Sequence, residues 1–271
     1  MSTAKKETTG QTLLVAFLLC IVCSVIVAGS AVSLKPVQTA NKQLDRKKNI
    51  LSAAGMLPAG AQDAAGIDRE FQRFQVRMVD LDSGEYLDEQ TLGGRPELDP
   101  QRYDQIKAAK DAKLSDALPA EQDIASIKRR EKIAQVYLLE EEGQLKKIVL
   151  PIRGYGLWST LYGFLVLEGD ATTVVGLAYY DQKETPGLGG EVDNPKWKAL
   201  WPGKQVFDEN GEVAISVIKG TVNTDSPDAV HKVDGLSGAT LTSKGVQGML
   251  RFWLGERGFG PYLGRIRGGQ A

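Results

Sequence analysis

Apolar residues form one long uninterrupted run near the start of the chain. There is no charged residue between Gln11 and Leu34, and residues 12–34 are almost entirely apolar or small. A helix needs about 20 apolar residues to cross the hydrocarbon core of a bilayer, so this run predicts one membrane-spanning helix. Lys5 and Lys6 precede it, as in a cleaved signal peptide. The apolar core of a signal peptide is usually only about 7–15 residues long, however, which favours the membrane anchor.

The residues that follow the apolar run predict a helix that continues away from the membrane. Within residues 35–54, Val37, Ala40, Leu44 and Leu51 fall near one helix face, and charged residues occupy the rest. Glycine and proline in residues 55–60 end this pattern.

Between residues 61 and 132 the pattern is weaker. Ile67, Phe71 and Phe74 have helical spacing, and Asp82-Ser83-Gly84 predicts a hairpin turn between residues 76–81 and 85–88. The following segment, 96–119, is polar and rich in loops. One short helix is expected there, and it covers residues 103–110.

From Ile133 onward the chain alternates β-branched, aromatic and polar residues. Strands are predicted at residues 133–141, 144–152, 162–168, 173–181 and 212–220. Short glycine turns join the first four into two pairs, and helices are predicted at 195–200 and 242–254. The sequence therefore predicts an α+β fold, in which one N-terminal transmembrane helix precedes a mixed, mainly antiparallel domain. We divide the chain into a tail (1–11), the transmembrane helix (12–34), a membrane-proximal helical and hairpin region (35–132) and the functional domain (133–271).

Composition narrows the classes of function. The formal net charge of −1 gives no basic excess for binding nucleic acid. Cys20 and Cys23 both fall in the apolar run, so the remainder has no cysteine for a disulfide or an iron–sulfur cluster. His231 is the one histidine, and we expect no metal site.

The stretch DGLSGATLT, residues 234–242, has the pattern of a phosphate site. It precedes Val246, Met249, Leu250 and Trp253, whose spacing places apolar residues on one helix face. The N-terminus of a helix exposes unpaired N–H groups and a partial positive charge, which suit a phosphate. An ordinary helix cap beside a glycine turn is the alternative, and spacing alone favours it.

Two other loops carry similar features. ETPGLGG, residues 184–190, has three glycines in four positions after a proline, which permits close backbone approach to a flat ligand. GYGLWS, residues 154–159, places an aromatic residue and a hydroxyl after two glycines. The alternatives are a solvated turn for the first loop and a bend at a strand edge for the second.

These stretches resemble one known family. DGLSGATLT is similar to the signature of the FMN-binding domain in the C subunit of the sodium-translocating NADH:quinone reductase and in the related G subunit of the Rnf electron-transport complex. LKPVQTANKQLDRKKNIL, GYGLWSTLYGF, YYDQKETPGLGGEVDNP and FWLGERGFGPYL also resemble the reductase protein. The long insert before Ile133 and the C-terminal GFGPYL favour the reductase protein over its Rnf relative.

The resemblance implies a covalent flavin. FMN would be bound through its phosphate, as a phosphoester, to Thr240. The phosphate would be held by the turn formed by Ser237, Gly238, Ala239, Leu241 and Thr242. The isoalloxazine ring or the ribityl chain would lie against Glu184, Thr185, Gly187 and Leu188, with Trp158 and Ser159 as further candidates for the ring pocket. Residues 133–271 would be the FMN-binding domain, and Asp234 would order the loop or serve the enzyme that attaches the flavin.

The resemblance also implies an electron-relay subunit of a sodium-pumping NADH:ubiquinone oxidoreductase in the bacterial inner membrane. It would pass electrons towards ubiquinone, coupled to sodium export, beside other membrane and soluble subunits. A flavin transferase that uses FAD would attach the FMN. In the family this enzyme acts outside the cytoplasmic membrane, so the soluble domain would lie in the periplasm. The count of basic residues, two before the apolar run and five after it, predicts the opposite orientation. An Rnf-type ferredoxin:NAD relay and a cofactor-free, membrane-tethered adaptor are the alternative functions.

Overall fold

The computed structural model describes residues 8–57 and 63–270. The helices are α1 (Thr9–Ala53), α2 (Ala64–Phe71), α3 (Glu89–Gly93), α4 (Gln105–Ala108), α5 (Pro195–Lys198), α6 (Thr240–Leu254) and α7 (Gly260–Arg267). The strands are β1 (Phe74–Asp80), β2 (Ser115–Ala117), β3 (Arg129–Glu131), β4 (Ile133–Glu141), β5 (Gln144–Tyr155), β6 (Thr160–Glu168), β7 (Val174–Asp181), β8 (Ser216–Val217) and β9 (Lys232–Val233). Short 3₁₀ helices cover Pro96–Leu98, Gly189–Asp193 and Pro227–His231.

The apolar N-terminal run and the charged segment after it form one helix, α1. Its large apolar side chains are exposed from Leu13 to Val37, and its length and composition are sufficient to cross a membrane. The helix ends at Ala53, and Gly55 follows in the left-handed region with φ +66°. The predicted break at 55–60 is therefore seen in its first residues, whereas 58–60 lie outside the described residues.

The chain divides into two compact units, Met1–Asp45 and Arg46–Ala271. In the second unit, β1 pairs with β4 over its whole length, so part of the predicted membrane-proximal region belongs to the central sheet. The sheet continues across residue 133, so no structural break marks the functional boundary that we predicted there. That boundary stays a prediction.

The centre of the second unit is a five-stranded antiparallel sheet in the order β1-β4-β5-β6-β7. Tyr137 of β4 pairs with Val149 of β5, which in turn pairs with Val166 of β6. The four strands predicted between residues 133 and 181 are confirmed, and so is their antiparallel arrangement. Short glycine turns bring each strand beside the previous one, as the alternating pattern requires.

Alternate residues of the sheet face two different layers. On one face, Val136 and Leu150 join a buried core with α6, where Met249 and Trp253 are also buried. On the other face, the guanidinium group of Arg46 lies 5.8 Å from the ring centroid of Tyr137. The sheet thus separates the end of α1 from α6.

A buried ion pair fixes the end of β5. Both guanidinium nitrogens of Arg153 donate to the carboxylate of Glu131, at 2.7 and 2.5 Å, and Gln105 Nε2 donates to the same carboxylate. Glu131 is fully buried, and its charge raises the pKa of Arg153 against the opposing effect of burial. Trp253 Nε1 donates to the Arg153 carbonyl oxygen at 2.7 Å, which ties α6 to this strand.

Both outer strands of the sheet are partly covered. Val79 of β1 forms a bridge with Tyr86 beyond the predicted hairpin turn, although the returning segment is too short to be a strand. On the opposite side, Val174 of β7 donates to the carbonyl oxygen of Lys204 and accepts from the N–H of Gly203.

Three local predictions were wrong. Phe74 does not continue α2 but begins β1, because residues 74–80 pair with β4. The strand predicted at 212–220 is reduced to β8, which pairs in parallel with β9 outside the main sheet. The helix predicted from residue 242 begins at Thr240, since Ser243 N–H already bonds to the Ala239 carbonyl oxygen.

Candidate functional site

The first turn of α6 is open. The helix begins at Thr240 with Ala239 as the N-cap residue, and no side chain caps it. The first helical hydrogen bond runs from Ser243 N–H to Ala239 O at 3.0 Å, so the N–H groups of Thr240, Leu241 and Thr242 precede the helical bonding pattern. Thr240 and Leu241 are exposed. Thr240 therefore lies in the turn that carries the unpaired N–H groups and the positive end of the helix dipole.

The carboxylate of Glu184 joins three segments of the chain. Its Oε1 atom accepts from the N–H groups of Leu157, Trp158 and Ser159, at 3.1, 2.9 and 3.1 Å. Its Oε2 atom accepts from Thr242 Oγ1 at 2.8 Å. We call these four donors with the Glu184 carboxylate the Glu184 cluster. It brings together the three stretches that the sequence singled out separately.

Glu184 is almost completely buried, at 5% exposure. Burial alone would raise the pKa of its carboxyl group. The hydrogen bonds from the N–H groups of residues 157–159 and from Thr242 outweigh burial and lower the pKa below its usual value. The cluster is therefore built around an ionised carboxylate.

Two glycines leave room for this carboxylate. A Cβ atom on Gly156 would lie 2.7 Å from Glu184 Oε1, and one on Gly189 would lie 2.7 Å from Glu184 Oε2 and 2.5 Å from Thr242 Oγ1. Real Cβ atoms essentially never come this close to another atom. Any larger residue at either position would displace the carboxylate.

The turn before α6 is fixed by side chains behind it. Ser243 Oγ accepts from Leu236 N–H at 3.0 Å, and Asp234 Oδ1 accepts from Val222 N–H at 2.8 Å. Trp197 Nε1 donates to the Asp234 carbonyl oxygen at 2.8 Å. The expected ordering role of Asp234 is thus supported by its own contacts.

Exposed apolar side chains occur in the first turn of α6 and in the segments that pack against this helix or join the Glu184 cluster. Outside α1, the exposed large apolar side chains of the described residues are Ile124, Tyr155, Leu157, Trp158, Leu188 and Leu241. We call this set the apolar rim. Trp158 is 67% exposed, and Leu188 Cδ2 lies 3.0 Å from the Cβ position of Gly238. Exposed apolar groups on neighbouring segments are typical of a binding site.

The other predicted residues lie in the same region with different contacts. Ser159 Oγ accepts from Lys183 N–H at 2.8 Å and so joins two loops. The Thr185 carbonyl oxygen accepts from Leu188 and Gly190, which closes the turn in which Gly187 takes φ +76°. Ser237 and Gly238 are exposed, and Gly238 has φ +71°. The structure thus brings all the predicted site residues to the first turn of α6 and the two loops beside it.

Several residues of the site were not predicted from the sequence. Gly245 packs α6 against the strand end, because a Cβ there would lie 2.3 Å from the Tyr155 carbonyl oxygen. Ser243 and Gly189 were also missed, because their roles depend on contacts with other segments: the Ser243 hydroxyl accepts from Leu236 N–H, and Gly189 leaves room for the Thr242 hydroxyl and the Glu184 carboxylate. The one available signal was the number of glycines in these stretches.

The arrangement fits a flavin mononucleotide. The uncapped first turn of α6 offers N–H donors to a phosphate, and the exposed Thr240 hydroxyl lies in that turn. The apolar rim offers surface to a flat, largely apolar ring system. Residues 156–255 match the model of the FMN-binding domain family, which includes the Glu184 cluster and α6. The second unit therefore contains an FMN-binding domain.

Comparison with known proteins identifies the family more narrowly. A protein named as the C subunit of the Na(+)-translocating NADH-quinone reductase from Pseudomonas aeruginosa is 54% identical over 268 residues, covering 99% of this chain and all of the relative. The protein of the same name from Yersinia pestis is 46% identical, covering 97% of this chain and 95% of the relative. This chain belongs to the family of the C subunit of the Na(+)-translocating NADH-quinone reductase.

Solved structures agree. The crystal structure of Shewanella oneidensis NqrC superposes with a TM-score of 0.73 at 32% identity, covering 84% of this chain and 99% of that one. The structure of the corresponding reductase protein from Parabacteroides distasonis, at 24% identity and a TM-score of 0.58, covers 86% of this chain and 96% of that one, and it supports the fold. The predicted α+β class, with an N-terminal apolar helix and a mainly antiparallel domain, is confirmed.

Proposed function

We propose that this chain carries FMN covalently on Thr240 and acts as an electron relay in a sodium-translocating NADH:ubiquinone oxidoreductase. One observation supports Thr240 as the attachment site: this exposed residue lies in the uncapped first turn of α6, beside the apolar rim. Bound FMN would accept and release electrons there. The names of the relatives support the sodium-linked reductase complex.

In the proposed attachment, Thr240 Oγ1 forms a bond to the phosphorus of the FMN half of FAD. The diphosphate P–O bond breaks, AMP leaves, and the hydroxyl proton passes to a base of the flavin transferase. The N–H groups of Leu241 and Thr242 would then donate to the phosphate oxygens, with the turn at Ser237, Gly238 and Ala239 leaving room for them. Thr185, Gly187 and Leu188 on one side and Trp158 on the other would border the ring.

Intact mass tests the attachment. The full chain is expressed with and without a flavin transferase, purified in detergent, run on a denaturing gel under ultraviolet light and weighed. We expect a mass gain of FMN less water, with fluorescence that survives denaturation. Thr240→Val should abolish both, whereas Thr224→Val, the same change at another exposed threonine, should preserve both. If the wild-type chain stays dark beside an active transferase control, the covalent site is refuted and the cofactor-free adaptor becomes the better account.

We further propose that the FMN-binding domain lies in the periplasm, where the transferase would act. The basic residues after the apolar run argue the other way, so orientation needs its own test. Thr224→Cys in spheroplasts should react with a membrane-impermeant maleimide without lysis. Labelling only after lysis would place the domain in the cytoplasm. Cys20 and Cys23 lie in the apolar run, and the unsubstituted chain measures their background labelling.

The relay role is tested in the assembled complex with its other subunits. Thr240→Val should lower NADH-driven reduction of ubiquinone and the sodium transport linked to it. Unchanged ubiquinone reduction by a complex that contains the variant protein would refute an obligatory relay through this site.

A further inference from the structure

A carboxylate is an unexpected neighbour for a phosphate site, because like charges repel. The contacts of Glu184 explain why one is present. Its two oxygens accept from three N–H groups and one hydroxyl, and every one of these partners is a donor. A glutamine could keep its oxygen on the three N–H groups, but its NH₂ group would then face Thr242 Oγ1 and Leu157 N–H, which also lies 3.2 Å from Oε2. The Thr242 hydroxyl would have to turn and accept instead of donating, and the hydrogen bonds would lose the charge that strengthens them. An ionised carboxylate accepts from all four groups at once without any of them turning.

The Glu184 cluster engages one of the hydroxyls near the helix start, and a separate hydrogen bond engages a second. Four hydroxyl residues lie between positions 237 and 243: Ser237, Thr240, Thr242 and Ser243. Thr242 is buried and donates to Glu184, and Ser243 is buried and accepts from Leu236 N–H. Ser237 and Thr240 are exposed, and of these two only Thr240 belongs to the helix.

We propose that Glu184 is a positioning residue for flavin attachment, which holds the first turn of α6 against residues 157–159 and keeps the Thr242 hydroxyl out of reaction, so that phosphoryl transfer is directed to Thr240. This inference rests on the proposed covalent attachment. Glu184 acts through Thr242 and the neighbouring backbone, without contact to the phosphate.

Gly189 provides an independent way to disturb the same cluster. A methyl group there would overlap both Glu184 Oε2 and Thr242 Oγ1 while the charge of Glu184 is preserved. The backbone of Gly189 lies outside the left-handed region, so an alanine changes only the space available. Gly189→Ala therefore changes the position of the Glu184 carboxylate and keeps its charge, whereas Glu184→Gln removes the charge.

The test compares Glu184→Gln and Gly189→Ala in the full chain, purified in detergent without flavin. Glu212→Gln at an exposed carboxylate and Gly264→Ala, where nothing lies within 4 Å of the added Cβ, are the matched controls. One readout is hydrogen exchange of the Leu157, Trp158 and Ser159 amides before any flavin is attached. The other is the initial rate of mass gain with FAD and transferase, below the onset of thermal unfolding of each variant, with the modified residue mapped by peptide mass.

We expect both site variants to exchange these amides about tenfold faster and to gain FMN on Thr240 about tenfold more slowly or worse. The controls should match the wild-type chain. Wild-type rates and wild-type protection in both site variants would overturn the inference while Thr240 remained the attachment site. Slow attachment in Glu184→Gln alone would also overturn it, because charge rather than position would be responsible. A wild-type chain that gains no mass would refute the attachment itself, and the exchange data would still decide whether Glu184 orders residues 157–159.

Discussion

The close contact between α6 and the end of β5 gives the sharpest test of how the site is held. Gly245 lies in the interior of α6, and a Cβ atom there would come within 2.3 Å of the Tyr155 carbonyl oxygen and 2.9 Å of Gly156 Cα. Both neighbours are backbone atoms, which cannot rotate away. The helix and the strand end would have to separate by roughly 0.7 Å to reach the 3.0 Å limit of real Cβ contacts.

Two effects of Gly245→Ala oppose each other. Overpacking a rigid contact costs about 1–3 kcal/mol, and the backbone contact argues for the upper end. Replacing a glycine in a helix interior by alanine stabilises by about 1 kcal/mol. We therefore expect a net loss of about 2 kcal/mol. For a domain of this size that lowers the thermal midpoint by roughly 4–8 °C.

Gly264→Ala is the matched control. Gly264 lies inside α7, and a Cβ there meets nothing within 4 Å. Only the helix-propensity gain remains, so the midpoint should rise by about 2–4 °C.

The assay is thermal unfolding of the flavin-free full chain in detergent, followed by tryptophan fluorescence. If Gly245→Ala raises the midpoint as much as Gly264→Ala does, α6 is not packed against Tyr155 and Gly156, and our account of the site fails.

Three further predictions concern charge and the open surface. Glu131→Gln leaves Arg153 buried without its counter-charge, so it should cost about 3–5 kcal/mol in urea unfolding, and a loss within error of zero would contradict a tight buried pair. The lowered pKa of Glu184 contributes stability that is present above the unfolded pKa of about 4.3 and is lost as pH falls through the lower folded value, so acid unfolding of the wild-type chain should be steeper than that of Glu184→Gln below about pH 4; parallel acid profiles would show that the pKa is not lowered. Trp158→Ala should change unfolding by less than about 0.5 kcal/mol, because the side chain is exposed. If FMN is attached to Thr240 as proposed, its fluorescence should nevertheless change in this variant, and an unchanged spectrum would remove Trp158 from the ring environment.

The hairpins of the central sheet could be predicted because their causes are local. Glu142-Gly143 and Gly169-Asp170 separate runs of alternating residues, and the structure turns at both places. Glu142 and Gly143 both have positive φ, as the type I′ turn of a two-residue hairpin requires. Sequence neighbours alone decide such features.

The segment around β8 could not be predicted in the same way. Residues 212–220 have an alternating pattern, but Val213 forms only an isolated bridge with Phe207, and the strand itself is limited to Ser216–Val217, which pair with residues sixteen positions later. The Gln247 side chain accepts from Val217 N–H, where a neighbouring strand would otherwise bond. An alternating pattern predicts which side chains face the core and which face solvent. It does not tell which segment of the chain will supply the hydrogen bonds.

In the candidate site, too, the local features could be predicted from the sequence and the contacts between distant segments could not. The sequence identified each of the three stretches, since glycines and hydroxyls beside a helix start are local signals, and the resemblance suggested the role that we propose for Thr240. Their convergence on the Glu184 carboxylate depends on contacts between residues 58 positions apart, such as Thr242 with Glu184. For Glu184, contact with the ring stays a prediction, whereas its bonds to residues 157–159 are a feature that no local pattern announced.

The two outer strands have a consequence for the chain before it assembles with other subunits. An antiparallel sheet exposes unpaired N–H and C=O groups along its first and last strands, and such edges recruit strands from other molecules into aggregates. The bridge from Val79 to Tyr86 and the bonds between Val174 and residues 203–204 occupy part of both edges. These contacts leave less of each edge open to a strand from another copy of the chain before its partner subunits are present.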